Sequence, residues 1–304
     1  MFGHPFLRPE PNGYPLFREA DHGPLLQVNG QYYMETGVDY ETVFKLNKTT
    51  KEWGLVPFNQ SNNMDLPYIY GNQFLFSQGT KVYFGLSSDQ SEGRKIGRTL
   101  STLDVSTNQI ASLPLFPGTG VRDAITFVVG SKGYVAGGFG LLNNLVSNQL
   151  WEFDFATEQW ADIGPLPGGK RAGGTAFVMD GFVYVGLGYT KDALNVKTLT
   201  STWVRFTPGS QSYSNLATFP GGARYKAQGF AVDGKVFLGW GFGPNWIDDF
   251  WEYNPDTDAW TQRQKCPGSG ANNRNAFSLD NTGYVVTGWL NKFWRYSKVI
   301  ASPG

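Results

Sequence analysis

The sequence predicts an all-β fold, a six-bladed β-propeller in which small four-stranded sheets stand radially in one domain. Three observations carry this. One glycine, ending the second strand of each unit, recurs at Gly37, Gly85, Gly137, Gly186, Gly239 and Gly288, with spacings of 48, 52, 49, 53 and 49 residues. Paired aromatics mark an outer hairpin: Phe44 and Trp53, Trp151 and Trp160, and Trp251 and Trp260 are nine apart, and Trp203 and Tyr213 ten. Charged residues make up only 16% of the chain while glycines number 39, which suits tight turns between short strands better than helices.

Each element follows from its residues. In the first unit VFKLN and EWGLV form the outer pair; in the second, TLSTLDVSTNQIASL keeps the spacing with Ser101 and Ile110 in place of aromatics. The third unit, Val121–Gly168, is the clearest. AITFVV and GYVAGG are runs of β-branched, aromatic and small residues, joined by a turn at Gly130–Gly133. Their near-uniform apolarity predicts strands covered on both faces. NQLWEFDF and EQWADI alternate, which places them nearer solvent, with Ala156–Thr157–Glu158 as their turn. A sheet graded in this way cannot bury its faces alone, so it stacks on its neighbours. TWVRF with SYSNL, and FWEYN with AWTQR, repeat the pattern in the fourth and fifth units. The sixth, RNAFSLDNTGYVVTGWLNKFWRYSK, stops before its outer aromatic. Part of Gly3–Phe17 is therefore predicted to pair with Phe293–Lys298, closing the ring and removing two exposed edges. The units run approximately over 18–57, 66–117, 121–168, 171–220, 223–268 and 273–304 plus 3–17.

A glycine doublet, an aromatic, a tryptophan nine later and a Pro-rich link such as PLPGGKR or TFPGGAR follow one another. They do so best at Gly137–Gly138, Trp151 and Trp160, and at Gly239, Gly241, Trp251 and Trp260. This order resembles the kelch-repeat family over nearly the whole chain. The resemblance implies a kelch-type propeller like that of galactose oxidase, without its copper site. That site is built on two histidines, tyrosines and a cysteine crosslinked to one of them. Here only His4 and His22 are present, both near the N-terminus, and no ligand motif matches. No metal or other cofactor is expected.

Composition excludes several classes. Lysine plus arginine and aspartate plus glutamate both number 25, so net charge gives no pull toward nucleic acid or an anionic membrane. No window is apolar for the ~18 residues that a span needs, so membrane insertion is not expected. No signal peptide follows Met1, although a domain cut from a longer precursor would read the same way. The lone Cys266 rules out an internal disulfide and a multi-thiolate metal site, and reads as a structural or surface thiol. The compartment stays open, with an extracellular or cell-surface setting favoured. A monomeric domain is expected, with membership of a larger protein left open.

Strand order places the link into each unit on the same face as the loop between its second and third strands. Those loops vary most, as SSDQSEGRKIGRT, LLNNLVSNQ, TKDALNVKTLTS and GPNWIDD illustrate, which makes this the expected binding face. Fifteen residues before the tracked glycines stand His22, Tyr70, Arg122, Arg171, Arg224 and, one step off, Arg274. Four arginines would ring one channel mouth, and guanidinium forks match carboxylate or phosphate. Equally, an arginine at this place belongs to the general kelch pattern and would hydrogen-bond neighbouring loop carbonyls. Both readings stay open at this point. Trp246 stands inside a loop and would stack on a sugar or clasp a peptide. Asp39, Glu92, Asp123, Asp192, Asp248 and Asp249 lie near the same face. Acid–base work on a sugar needs two of them flanking one bond, and Asp248–Asp249 reads as a solvated loop pair. Asn254–Asp258, NPDTD, reads as turn chemistry rather than a calcium loop. No Ser–His–Asp set and no phosphate loop can be assembled.

These residues favour a non-catalytic recognition propeller that binds an acidic peptide or acidic glycan at the arginine-lined mouth. An alternative is an enzyme acting on an acidic sugar, similar to N-acetylneuraminate epimerases. Another is an architectural module of a larger surface protein.

Overall fold

The computed structural model describes residues 7–9, 26–28, 31–36, 42–47, 53–55, 73–86, 98–107, 109–140, 143–210, 212–245, 247–265, 274–287 and 292–296. The architecture is an all-β propeller. Among the described residues the strands form six four-stranded antiparallel sheets and two short two-stranded ribbons. The first sheet holds Leu26–Val28, Gln31–Thr36, Thr42–Leu46 and Trp53–Leu55, and the second Gln73–Gln78, Lys81–Gly85, Leu100–Asp104 and Gln109–Leu113. The third holds Ile125–Val129, Lys132–Ala136, Gln149–Asp154 and Gln159–Pro165. The fourth holds Thr175–Met179, Phe182–Gly186, Trp203–Phe206 and Tyr213–Leu216. The fifth holds Gln228–Val232, Lys235–Gly239, Phe250–Asn254 and Ala259–Arg263. The sixth joins Arg274–Leu279, Thr282–Thr287 and Lys292–Tyr296 to Leu7–Pro9, with Leu7 opposite Tyr296 and Pro9 opposite Trp294. First strands of successive sheets lie side by side, from Leu26–Val28 against Gln73–Gln78 through to Gln228–Val232 against Arg274–Leu279.

Local chemistry sets the hairpins. The first turn of the third sheet is Gly130–Ser131, with Val129 paired to Lys132. In the fourth and fifth sheets the same turn is Asp180–Gly181 and Asp233–Gly234, all four residues at positive φ, as a two-residue turn between twisted strands requires. The outer turn runs through Ala156 and Thr157, whose N–H groups donate to Asp154 Oδ1 at 2.7 and 3.0 Å. At Asn254–Asp258 the Asp256 N–H donates to Asn254 Oδ1 at 3.1 Å, which is turn chemistry again.

Burial follows the expected gradient. Gly133–Ala136 is wholly buried, whereas no residue of Gln159–Pro165 is. The cores lie between sheets. Ile125, Phe127, Tyr134 and Leu150 of the third sheet pack on Val183, Val185, Val204 and Phe206 of the fourth. Phe177, Tyr184 and Trp203 of the fourth meet Val236, Leu238 and Tyr253 of the fifth. Burying one such side chain contributes roughly 1.5–3 kcal/mol, so each sheet depends on the next for most of its stability.

Trp203 also explains the single spacing of ten. Phe206 pairs with Tyr213 as Phe153 pairs with Trp160 and Tyr253 with Trp260. By that register Trp203 corresponds to Leu150 and Phe250, one step before Trp151 and Trp251. It therefore points into the core, where it is buried.

Candidate functional site

The links into the sheets and the loops between second and third strands meet on one face, as strand order requires. Arg171 N donates to Ser147 O at 3.2 Å, and Gly138 N to Arg171 O at 2.9 Å. In the next unit Gly188 N donates to Arg224 O at 2.7 Å. The links are also chained to each other: Lys226 N donates to Gly173 O and Gly173 N to Asp123 O, both at 2.7 Å. Asp123, Gly173 and Lys226 hold φ of 54°, 61° and 54°. Glycine adopts this backbone freely, while Asp123 and Lys226 do so at a cost of about 1–2 kcal/mol each, imposed by the interlink hydrogen bonds. Gly138, at φ 91°, lets the loop close on the link: a Cβ there would lie 2.9 Å from Val121 Cβ.

On this frame three units bring rings and cations together. Arg122 pairs with Phe139, Ala172 with Tyr189, and Tyr225 with Phe242. A ribbon of Tyr189–Lys191 and Lys197–Leu199 rises beside them. Its turn is held by Asp192 Oδ1, which accepts from the N–H groups of Leu194 and Val196, both at 2.9 Å. Lys197 Nζ sits 4.3 Å from the Tyr189 ring centre and 4.1 Å from that of Tyr225. Lys191 Nζ and the Arg122 guanidinium lie 4.5 and 4.8 Å from the Phe139 centre. Tyr225 stacks on Phe242 with centres 5.2 Å apart. Asp123 accepts from the Tyr189 hydroxyl at 2.9 Å and pairs with Lys226 at 3.4 Å. Burial, and then the Asp123 carboxylate, push the Tyr189 phenol well above its ordinary pKa. Tyr189 thus keeps its proton and acts as a donor. Arg122, Lys191, Lys197 and Lys226 outnumber Asp123 and Asp192, so this patch is cationic on a chain of zero net charge.

Arg171 and Arg224 sit below this surface, 1% and 0% exposed. Their guanidinium groups turn inward to loop carbonyls: Arg171 donates to Gly168 O at 2.9 Å and Leu187 O at 3.4 Å, and Arg224 to Trp240 O at 3.0 Å and to Gly221 O. Arg224 also meets Asp249 in a two-point contact at 2.6 and 2.8 Å. At these two positions the guanidinium groups lie beneath the face and hold loop carbonyls, so they form no open collar at the mouth. The solvated pair is corrected too: Asp249 balances Arg224, while Asp248 meets Lys265 at 2.6 Å.

Two further positions shift for a reason of register. The third sheet ends its second strand on Ala136, where the fourth and fifth end on Gly186 and Gly239. Gly137 corresponds to Leu187 and Trp240, so counting back from it lands one residue late. The counterpart of Arg171 and Arg224 is Val121, and Arg122 corresponds to Ala172 and Tyr225, out on the face. Arg274 opens the first strand of the sixth sheet opposite Thr287, so its counterpart is Ala227, three residues past Arg224. His22, Tyr70 and Trp246 lie outside the described residues, as do Asp39, Glu92 and Cys266. Sequence reasoning missed Lys191, Lys197, Tyr225 and Lys226. The alternation YTK…KTL within the fourth unit's long loop was the available signal for the ribbon.

A family model described as Kelch motif matches residues 121–167, the third sheet with its links. The chain is a kelch-repeat propeller. This kelch propeller is similar to the N-acetylneuraminate epimerase of Yersinia enterocolitica, 28% identical over 143 residues, 43% of this chain and 34% of that protein. That of Haemophilus influenzae is 34% identical over 104 residues, 31% of this chain and 25% of that protein. That of Pasteurella multocida is 30% identical over 152 residues, 46% of this chain and 37% of that protein. The kelch propeller thus spans 25–37% of the length of these relatives. The solved structure of YjhT is similar in fold, with a TM-score of 0.58 at 19% identity over 71% of this chain and 72% of that one.

Proposed function

We propose that this kelch propeller is a non-catalytic recognition module that binds an acidic glycan at the cationic and aromatic patch of its loop face. The observation behind it is Lys197 held over Tyr189 and Tyr225, beside Arg122 and Lys191 over Phe139. Cations supply a partner for a carboxylate, and the half-buried rings of Tyr225 and Phe242 supply apolar surface for a sugar, while Phe139 and Tyr189 are buried beneath the cations. The names of the relatives add support, since N-acetylneuraminate is a carboxylated sugar. Arg122 is the ligand contact kept from the sequence, with His22, Tyr70, Arg274 and Trp246 as further candidates. The test is an array of acidic and neutral glycans with acidic peptides. Arg122→Ala and Lys197→Ala are each expected to lower capture of acidic glycans at least tenfold, and rising salt to weaken what remains. Undiminished capture by both variants, or capture of acidic peptides alone, refutes the reading.

A second reading is an enzyme acting on an acidic sugar, favoured by the relatives' names alone. A direct turnover assay on sialic acid anomers separates the two, because a binding module gives no turnover.

We also read the six sheets as six blades of one ring, with Leu7–Pro9 as its latch. Support comes from the antiparallel register of Leu7, Arg8 and Pro9 against Tyr296, Arg295 and Trp294. Without that partner the strand Lys292–Tyr296 would present an open edge.

A further inference from the structure

Arg171 and Arg224 occupy the same place in neighbouring units, and so do Thr202 and Asp249. Leu187 N donates to Thr202 O at 3.1 Å as Trp240 N donates to Asp249 O at 3.4 Å. The two guanidinium cages share their carbonyls: Gly168 and Leu187 in one, Gly221 and Trp240 in the other. They differ in one group. Around Arg224 the Asp249 carboxylate completes the cage, and Nε donates to Gly222 O at 3.3 Å. Around Arg171 the corresponding side chain is a hydroxyl, Thr202 Oγ1, 3.4 Å from Nη2. Arg171 Nε has no partner, and among the described residues no carboxylate pairs with this arginine.

A buried guanidinium left without a counter-charge is unfavourable, and it stays protonated here, since burial lowers its pKa only to about 10. The way in from solvent is short. Gly168 and Thr202, the two residues in contact with Nη2, are both exposed, and the Thr200 hydroxyl lies 2.9 Å from that of Thr202. Two hydroxyl donors and an unmet guanidinium are the groups that receive a carboxylate.

We propose that Arg171, with the hydroxyls of Thr200 and Thr202, binds a small carboxylate anion in the place that Asp249 holds beside Arg224. This site is separate from the cationic patch and does not rest on the glycan reading.

The experiment is thermal unfolding of the full chain in sodium formate against sodium chloride at fixed ionic strength. Formate is expected to raise Tm saturably by a few degrees beyond chloride, because a ligand held by the native state alone stabilises it. Thr202→Asp, which rebuilds the fifth unit's pair, is expected to raise Tm without formate and to abolish the formate response. Lys197→Ala is expected to keep that response whatever becomes of glycan capture. Equal formate shifts in the native chain and Thr202→Asp would overturn the proposal. So would a chloride effect as large as that of formate, or no formate effect at all in the native chain.

Discussion

Replacing Asp249 by threonine turns the Arg224 cage into a copy of the Arg171 cage, and the loss can be worked from the contacts. The Arg224 side chain is 0% exposed and that of Asp249 14%, so little water reaches the pair. The substitution removes two charge-assisted hydrogen bonds, at 2.6 and 2.8 Å, and a third at 2.8 Å in which Trp251 Nε1 donates to Oδ2. Deleting one partner of a buried ion pair costs about 3–5 kcal/mol because the other charge stays behind. Here the carbonyls of Trp240 and Gly221 remain in place and the carboxylate was not wholly dry, which favours the lower end. The expected loss is about 3 kcal/mol, or a fall in Tm of roughly 6–12 °C at 2–4 °C per kcal/mol. Urea unfolding followed by tryptophan fluorescence measures it, with an unchanged m value as the check that only stability moved. Asp249→Asn keeps the volume and most of the geometry while discarding the charge, so it should lose nearly as much. A loss below about 1 kcal/mol for both variants would mean that desolvation already cancels the attraction, and would refute the reasoning.

Asp154 gives a pH-dependent counterpart. Lys132 Nζ at 2.5 Å and the N–H groups of Thr157 and Ala156 hold its carboxyl down at about 2. A folded-state pKa below the unfolded value stabilises above the ordinary carboxylate range, and the contribution is lost as pH falls toward 2. Thermal melts should therefore place Asp154→Asn below the native chain at pH 7, with the gap closing between about pH 4 and pH 2; a gap that persists undiminished to acid pH contradicts this. Removing residues 1–9 tests the latch: melts should show a lower Tm and light scattering should show association through the freed Lys292–Tyr296 edge. A truncated chain as stable and as monodisperse as the native one contradicts the closed ring.

The hairpins were legible in the sequence because their causes are local. Alternation, two-residue turns such as Asp180–Gly181 and the outer aromatics each act within a dozen residues. The site was legible only where a fixed offset survives. Counting from Gly186 and Gly239 finds Arg171 and Arg224, because both glycines end a strand at the same step. At Gly186 a Cβ would meet the Trp203 ring, and at Gly239 the Asp249 carbonyl. The third sheet puts Ala136 at that step, and the count slips. The cationic patch was legible only in part: Arg122 and Asp123 stand out in the sequence, but Lys197 and Tyr225 come from two other units and join them only after the links are chained. Asp249 was misread for a similar reason. Its role depends on an arginine 25 residues earlier, and adjacency to Asp248 suggested a solvated pair.

Three neighbouring units now form a graded series at one place in the fold. The third has Val121 with Gln149, the fourth Arg171 with Thr202, and the fifth Arg224 with Asp249. Val121 is buried and pairs with Gly140 of the loop, so a link can be tied to its loop with no charge at all. The fifth unit does it with a paired charge, an arrangement that is often no more stabilising than an apolar one. The fourth keeps the cation and lacks the acid. The Gly168 and Leu187 carbonyls account for the hydrogen bonds that Arg171 makes, and Val121 next door makes none of them yet serves the same junction. Carbonyl dipoles solvate a guanidinium but do not neutralise it. What sets Arg171 apart is therefore an unbalanced charge close beneath an exposed glycine and an exposed threonine, and a counter-ion arriving from solvent is the arrangement that balances it.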